Sequence, residues 1–365
     1  DNIITIFAEE LDRYTPMLMW KPFGDSSTSK NSRITAIGWY DASCCFEISL
    51  PVIVIASGSG NLIVYDIRST KVIANFKRKN DYITAMKWSP FSTSTFFAGT
   101  SSGSFIKFEV DLAQIVTSVV RWEIMFSEMQ IDFITIDEVD GNRAAVASKS
   151  GHFGVIYNVN TDKPFHSNES LILCEESKQI TNCSFFPIHR NFLIVATDSE
   201  SMLYALEEGV SVPLLNIPDI QQIQISRNLG NRAIVVRFGT VELWELQKDM
   251  SKRISSTKIS SSKLSSINEI QLIDILDDTI VLLTSTFWLT TIELRRDKLF
   301  VTKRVKLFNS RPNDFSFAND AFAFCTEDGR VLVTRTTSPK FKMLMRWNQP
   351  KTTTPSPNRQ TNNNK

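Results

Sequence analysis

Histidine and cysteine are scarce in this chain, and each shortage closes off a class of chemistry. Only three histidines occur in 365 residues, His152, His166 and His189, and they are scattered without metal-ligand spacing. The five cysteines, Cys44, Cys45, Cys174, Cys183 and Cys325, are odd in number and irregularly placed. No CxxC pair occurs, so neither a zinc ribbon nor a disulfide framework is indicated. Reduced thiols packed in a cytoplasmic protein, or a nuclear one, fit better. Asn168-Glu169-Ser170 and Asn182-Cys183-Ser184 match the glycosylation sequon, but no secretory signal accompanies them and they read as chance matches.

Charge of either sign is not in excess. Lys plus Arg (40) balances Asp plus Glu (39), leaving +1. Such a chain has no global field to draw it onto nucleic acid or an anionic membrane, so a nucleic-acid partner is disfavoured and any membrane contact should be indirect. No apolar run approaches the roughly 18 residues of a membrane span. The most apolar stretch, residues 50–56, has the length of a buried strand.

Catalytic signatures are missing as well. No HExxH, P-loop or GxGxxG pattern occurs. Gly99-Thr100-Ser101-Ser102-Gly103 matches the GxSxG nucleophile elbow, which needs a strand-to-helix turn, whereas these residues fall between two strand-like runs and read as a hairpin. Asp277-Asp278 and Glu9-Glu10 read as strand-end or surface charges. No catalytic residue, cofactor site, metal ligand or small-molecule substrate is assigned, and the chain is not expected to be an enzyme. It opens on Asp1 without a methionine, as expected of a fragment of a longer protein.

What the sequence does hold is β-forming residues and a repeat. Phenylalanine is abundant (25), Ile, Val, Thr and Ser recur, and alanine-rich helical stretches are missing. An apolar triplet at i, i+3 and i+5 opens each repeat. It appears at Ile34/Ile37/Trp39, Ile83/Met86/Trp88, Ile131/Ile134/Ile136 and Ile180/Cys183/Phe185. It returns at Ile220/Ile223/Ile225, Ile267/Ile270/Leu272 and Pro312/Phe315/Phe317. Seven starts spaced 40 to 49 residues apart match the period of a four-stranded propeller blade.

Each triplet is followed by a short apolar run, as at 52–56, 96–99, 144–147 and 233–236, suited to a strand buried on both faces. Small or glycine-bearing turns come next, among them Ser57-Gly58-Ser59-Gly60 and Lys149-Ser150-Gly151. An alternating third strand such as 62–67 and a polar, lysine-protected fourth such as 71–77 complete the unit. Two stacked sandwiches would not require so even a spacing. The expected fold is all-β: a seven-bladed β-propeller of four-stranded antiparallel blades over residues 33–347. Residues 1–32 form an N-terminal segment and the polar residues 348–365 a disordered tail or linker.

Trp88-Ser89-Pro90 at the end of a first strand, Tyr65-Asp66 and Trp244-Glu245 at the ends of third strands, and Glu327-Asp328-Gly329 before another together resemble the WD40-repeat family. The resemblance covers roughly residues 33–336 and is to its divergent members in large trafficking and scaffold proteins. No Gly-His dipeptide opens a repeat and no Trp-Asp pair occurs, so the family's Asp–His–Ser/Thr–Trp tetrad cannot recur and packing must hold the blades. The resemblance implies a ring closed between first and last blades, commonly by an N-terminal strand. The closing strand could be 341–347, or 3–7 or 17–20 from the N-terminus.

The function expected is that of a non-catalytic scaffold or adaptor binding other proteins or peptides, in a trafficking or cytoskeletal assembly. Propellers expose residues just before each first strand around one rim. Here these are Arg33, Tyr82, Gln130, Gln179, Asp219, Ser266 and Arg311, with Arg33, Tyr82 and Arg311 expected to be neighbours around the closure. The alternatives are a phosphoinositide- or nucleic-acid-associated propeller and, behind these, a propeller enzyme. Leu294-Arg295-Arg296-Asp297 resembles the Phe-Arg-Arg-Gly motif of phosphoinositide-binding propellers, although Asp297 would repel a headgroup. Residues 247–266, rich in serine and lysine, read as a solvated excursion or a phosphorylation-regulated contact.

Overall fold

The computed structural model describes residues 4–10, 13–23, 33–39, 52–67, 69–92, 94–110, 118–137, 141–166, 172–173, 178–185, 192–197, 201–206, 211–215, 220–225, 229, 231–237, 239–247, 251–259, 270–276, 279–284, 288–306, 312–318, 321–326, 330–335 and 342–346. Among them, seven antiparallel sheets follow one another along the chain, preceded by a two-stranded hairpin, Ile4–Glu10 with Arg13–Trp20. The first sheet comprises Ile34–Trp39, Val52–Ser57, Asn61–Asp66 and Lys71–Lys77. The second comprises Ile83–Trp88, Thr95–Thr100, Ser104–Val110 and Ser118–Met125. In each sheet the four strands pair in sequence order, save in the third. There the outer position beside His152–Tyr157 is shared by two short pieces, Phe165–His166 and Ile172–Leu173.

The later sheets open with Ile180–Phe185, Ile220–Ile225, Ile270–Leu276 and Pro312–Ala318. The last sheet takes its fourth strand, Lys342–Arg346, from the C-terminal side, while the two N-terminal strands pair with each other. The sixth repeat differs from the expected start at Ile267. Its described strand begins at Ile270, and residues 260–269 lie outside the described ones. Isoleucines at 267, 270, 273 and 275 satisfy the triplet in two frames, so spacing alone could not choose between them.

The triplet spacing has a structural cause. Strand side chains alternate, so i, i+3 and i+5 would not normally share a face. Here the first strand carries a β-bulge after its first residue, skipping Thr35, Thr84, Thr181, Gln221, Gln271 and Asn313 in six sheets. The extra residue brings positions i and i+3 back into phase.

The face so formed is driven against the preceding sheet. Ile83, Met86 and Trp88 pack on Val52, Val54 and Ala56. Ile131, Ile134 and Ile136 pack on Phe97 and Phe105, and Ile180, Cys183 and Phe185 on Ala145, Ala147 and Phe153. Ile223 meets Ile194 and Ala196. The first strands lie side by side in succession from the first sheet to the seventh.

Second strands are the heart of this core. Val52–Ser57 and Thr95–Thr100 are buried at every residue, which accounts for the apolar runs 52–56 and 96–99 within them. In the second sheet, Phe96 stacks on Phe108 (4.8 Å between centroids) facing the first sheet, and Phe97 on Phe105 (5.6 Å) facing the third. Each such ring contributes about 1.5–3 kcal/mol by burial. Gly99 makes room for the third sheet: a Cβ there would lie 2.4 Å from Ile131 Cγ2.

Candidate protein-binding rim

In the first three sheets the rim is built from two pieces, the hairpin joining second to third strand and the segment entering the first strand. The hairpins of the first three sheets share one plan. Gly60, Gly103 and Gly151 have φ of 81°, 87° and 101°, and their amides donate to the carbonyls of Ser57, Thr100 and Ser148. Hydroxyls two residues apart pair inside each turn: Ser57 with Ser59 (2.8 Å), Thr100 with Ser102 (3.1 Å) and Ser148 with Ser150 (2.8 Å). Glycine is required, because a Cβ on Gly103 would lie 1.9 Å from the carbonyl oxygen of Ser127.

The entering segment is bonded to this hairpin. Gly58 N donates to Arg33 O (2.8 Å), and one sheet on, Ser101 N donates to Tyr82 O (2.9 Å). Arg33 and Tyr82 therefore occupy equivalent places in adjacent sheets. Arg33, Gln130 and Gln179 are exposed and Tyr82 is half-buried; Asp219, Ser266 and Arg311 lie outside the described residues. Gln130 Nε2 donates to Asp132 Oδ1 (2.7 Å), and Asp132 Oδ2 accepts from Lys149 N (2.8 Å), which steadies the third hairpin.

Sequence reasoning missed the most densely bonded rim residue, Asp81. Its Oδ1 accepts from Ser101 Oγ (2.7 Å), Tyr82 N (2.9 Å) and Ser102 N (3.1 Å), and its Oδ2 from Ser102 Oγ (2.9 Å) and Arg78 Nε (3.2 Å). Arg78 in turn grips Glu123 of the second sheet's outer strand with both Nη atoms, at 3.0 and 2.7 Å. Burial alone would raise the Asp81 carboxyl, but hydroxyl donation from Ser101, Ser102 and Thr100 and the charge of Arg78 outweigh it and hold it below the usual value. The hydrogen bonds from Arg78 likewise lower Glu123, and Arg78 itself is raised. The available signal was an aspartate two residues before a triplet, opposite a Ser-Ser-Gly hairpin.

This network also accounts for the GxSxG match. Ser101 sits in a hairpin between two strands, and its hydroxyl donates to a carboxylate rather than to an imidazole base. Arg296 and Asp297 form the turn of another hairpin with positive φ at both residues. Asp297 pairs with Arg232 of the fifth sheet (2.5 Å) and Arg295 with Glu293, so two charges of the Arg-Arg-Asp turn are met within the protein. Residues 252–258, expected within a loop excursion, are the outer strand of the fifth sheet. An outer strand faces water along much of its length, so its composition mimics a loop. No group of residues that could hold a metal ion occurs among the described residues.

No protein-family profile matches the chain, and no curated protein matches it by sequence. Solved structures do match it in shape. Sqt1 of Chaetomium thermophilum, bound to the N-terminus of ribosomal protein L10, superposes with a TM-score of 0.66 at 13% identity, over 88% of each chain. Sqt1 of Saccharomyces cerevisiae gives 0.65 at 12% identity, over 86% of this chain and 84% of that one. The β-propeller domain of Myceliophteria thermophila Cps50 (Swd1) gives 0.57 at 10% identity, over 85% of this chain and 98% of that one. The likeness is one of fold: the chain is a β-propeller.

Proposed function

We propose that the chain is a seven-bladed propeller closing into a ring and serving as a non-catalytic scaffold in a cytoplasmic assembly, such as trafficking or cytoskeletal machinery. The observation that carries this reading is the repeated frame of the rim. Backbone hydrogen bonds lock the entering segments of the first and second sheets to their own hairpins, so Arg33 and Tyr82 are presented at equivalent places on rigid supports. Arginine and tyrosine are the side chains from which interface hot spots are commonly made. In this reading they form the strongest part of a contact with a protein or peptide, to which Arg311, outside the described residues, would add a third such side chain. The bound N-terminus of ribosomal protein L10 in the Sqt1 structure supports a peptide ligand.

Immobilised chain should retain a specific partner from extract, identified by mass spectrometry. The double variant Arg33→Ala/Tyr82→Ala should lose at least tenfold of that capture with its melting temperature unchanged. Equal capture by the variant would refute the rim.

A further inference from the structure

The outer strands of the fifth and sixth sheets, Lys252–Lys258 and Lys298–Lys306, lie next to each other, and Leu299 N reaches Ser255 Oγ at 3.4 Å. Together they hold seven cationic residues and no acidic one. The whole chain carries only +1, so the remainder of the molecule is net acidic and this edge is a local concentration of positive charge.

Neighbouring acids cancel little of it. Glu242 pairs with one of the seven, Arg253, whereas Glu293 is taken by Arg295 and Asp297 by Arg232, neither of which is among them. Glu245, opposite Lys252 in the strand register, accepts from Asn231. Lys252, Lys258, Arg296 and Lys298 are exposed and have no acidic partner among the described residues.

Lysines on an edge can serve simply to prevent strand pairing. Edge protection does not account for Phe300 and Val301, which are 45% and 42% exposed in the midst of these charges. An apolar pair left open inside a basic frame has the character of a contact site.

We propose that this double outer strand binds an acidic segment of a partner protein in extended conformation, with a bulky apolar side chain set against Phe300. Lys252 and Lys258 stand about 20 Å apart along their strand, the reach of six or seven extended residues. Phe300 and Val301 are consecutive and leave the strand on opposite faces. A flexible chain can cross the edge and touch both, whereas a flat bilayer engages one side. The site lies away from the rim and adds a second interaction surface.

The test is fluorescence anisotropy with the full chain and a labelled Asp/Glu-rich peptide of roughly twelve residues bearing one central Phe, long enough to span both strands. Binding should weaken at least tenfold in Lys252→Glu/Lys258→Glu/Lys298→Glu, several-fold in Phe300→Ser, and steadily with added salt. It should persist in Lys71→Glu/Lys77→Glu, on the first sheet's outer strand, and in Arg33→Ala/Tyr82→Ala, which separates this site from the rim. Lys298→Glu alone carries the test should the triple variant melt early. Unchanged affinity in the reversal variants, or equal loss in the Lys71/Lys77 control, would overturn the proposal. So would equally tight binding of a Phe-free acidic peptide, an oligothymidylate or phosphatidylserine vesicles.

Discussion

Trp20 stacks on Tyr65, with ring centroids 4.5 Å apart and planes inclined by 22°. The contact joins the N-terminal hairpin to the first sheet, where Ile4, Trp20 and Phe23 cover Ile53, Ile55, Ile63 and Ile67. This is the face that, in the second to fifth sheets, meets the preceding sheet. The hairpin thus stands where the first sheet would otherwise meet a neighbour, and Ile37 on that sheet's first strand is left 52% exposed.

Trp20→Ala should cost about 2 kcal/mol, less than a fully buried tryptophan because the ring is half exposed. Tyr65→Ala should overlap with it, the double variant falling short of the sum by about 0.5–1.5 kcal/mol. Denaturant melts of the two singles and the double measure this. Strict additivity would mean that the rings do not support each other.

Thr84, the residue added by the bulge in the second sheet, donates its hydroxyl to Ile131 O of the third sheet (2.5 Å), and Thr35 does the same to Ile83 O (2.6 Å). Valine at either position keeps the shape and removes the donor. Each substitution should cost about 1–2 kcal/mol, and because the two bonds serve different interfaces the costs should add. Thermal melts of the singles and the double provide the check.

Asp81 gives the molecule a pH dependence whose sign follows from its lowered carboxyl. A depressed group contributes stability that is complete above the unfolded carboxylate value, about 4, and is lost as pH falls through the lower folded value. Glu123 acts in the same sense. Asp81→Asn should therefore melt well below the parent at neutral pH, and the gap should shrink as acid takes the pH below about 4. Calorimetry from neutral to strongly acidic buffer tests it; a gap independent of pH would assign the loss to geometry rather than charge.

The repeat was legible because its cause is periodic. Buried second strands such as Val52–Ser57 have to be apolar up to the last residue, where the hydroxyl of Ser57 is taken up by the turn, and glycine has to sit where φ is positive, at Gly60, Gly103 and Gly151. The triplet was legible as spacing, but the bulge behind it was not, since a skipped residue such as Thr84 or Gln271 needs no particular identity. Outer strands were the hardest to see: 252–258 is polar because its surroundings are water. The Asp81 network joins residues 78, 81, 101, 102 and 123, and that proximity exists only once the strands have paired.

The bulge makes the chain's tolerance of a length change depend on where it falls. Deleting Thr84 would remove the unpaired residue and leave Ile83, Met86 and Trp88 at alternate positions, still facing the first sheet, with only the Thr84 hydroxyl's bond to Ile131 O lost. Deleting Lys87, past the bulge, would instead turn Trp88 toward the third sheet. One interface would be stripped of its tryptophan while the next was overfilled. A single-codon loss is absorbed at the bulge and damages two interfaces three residues later.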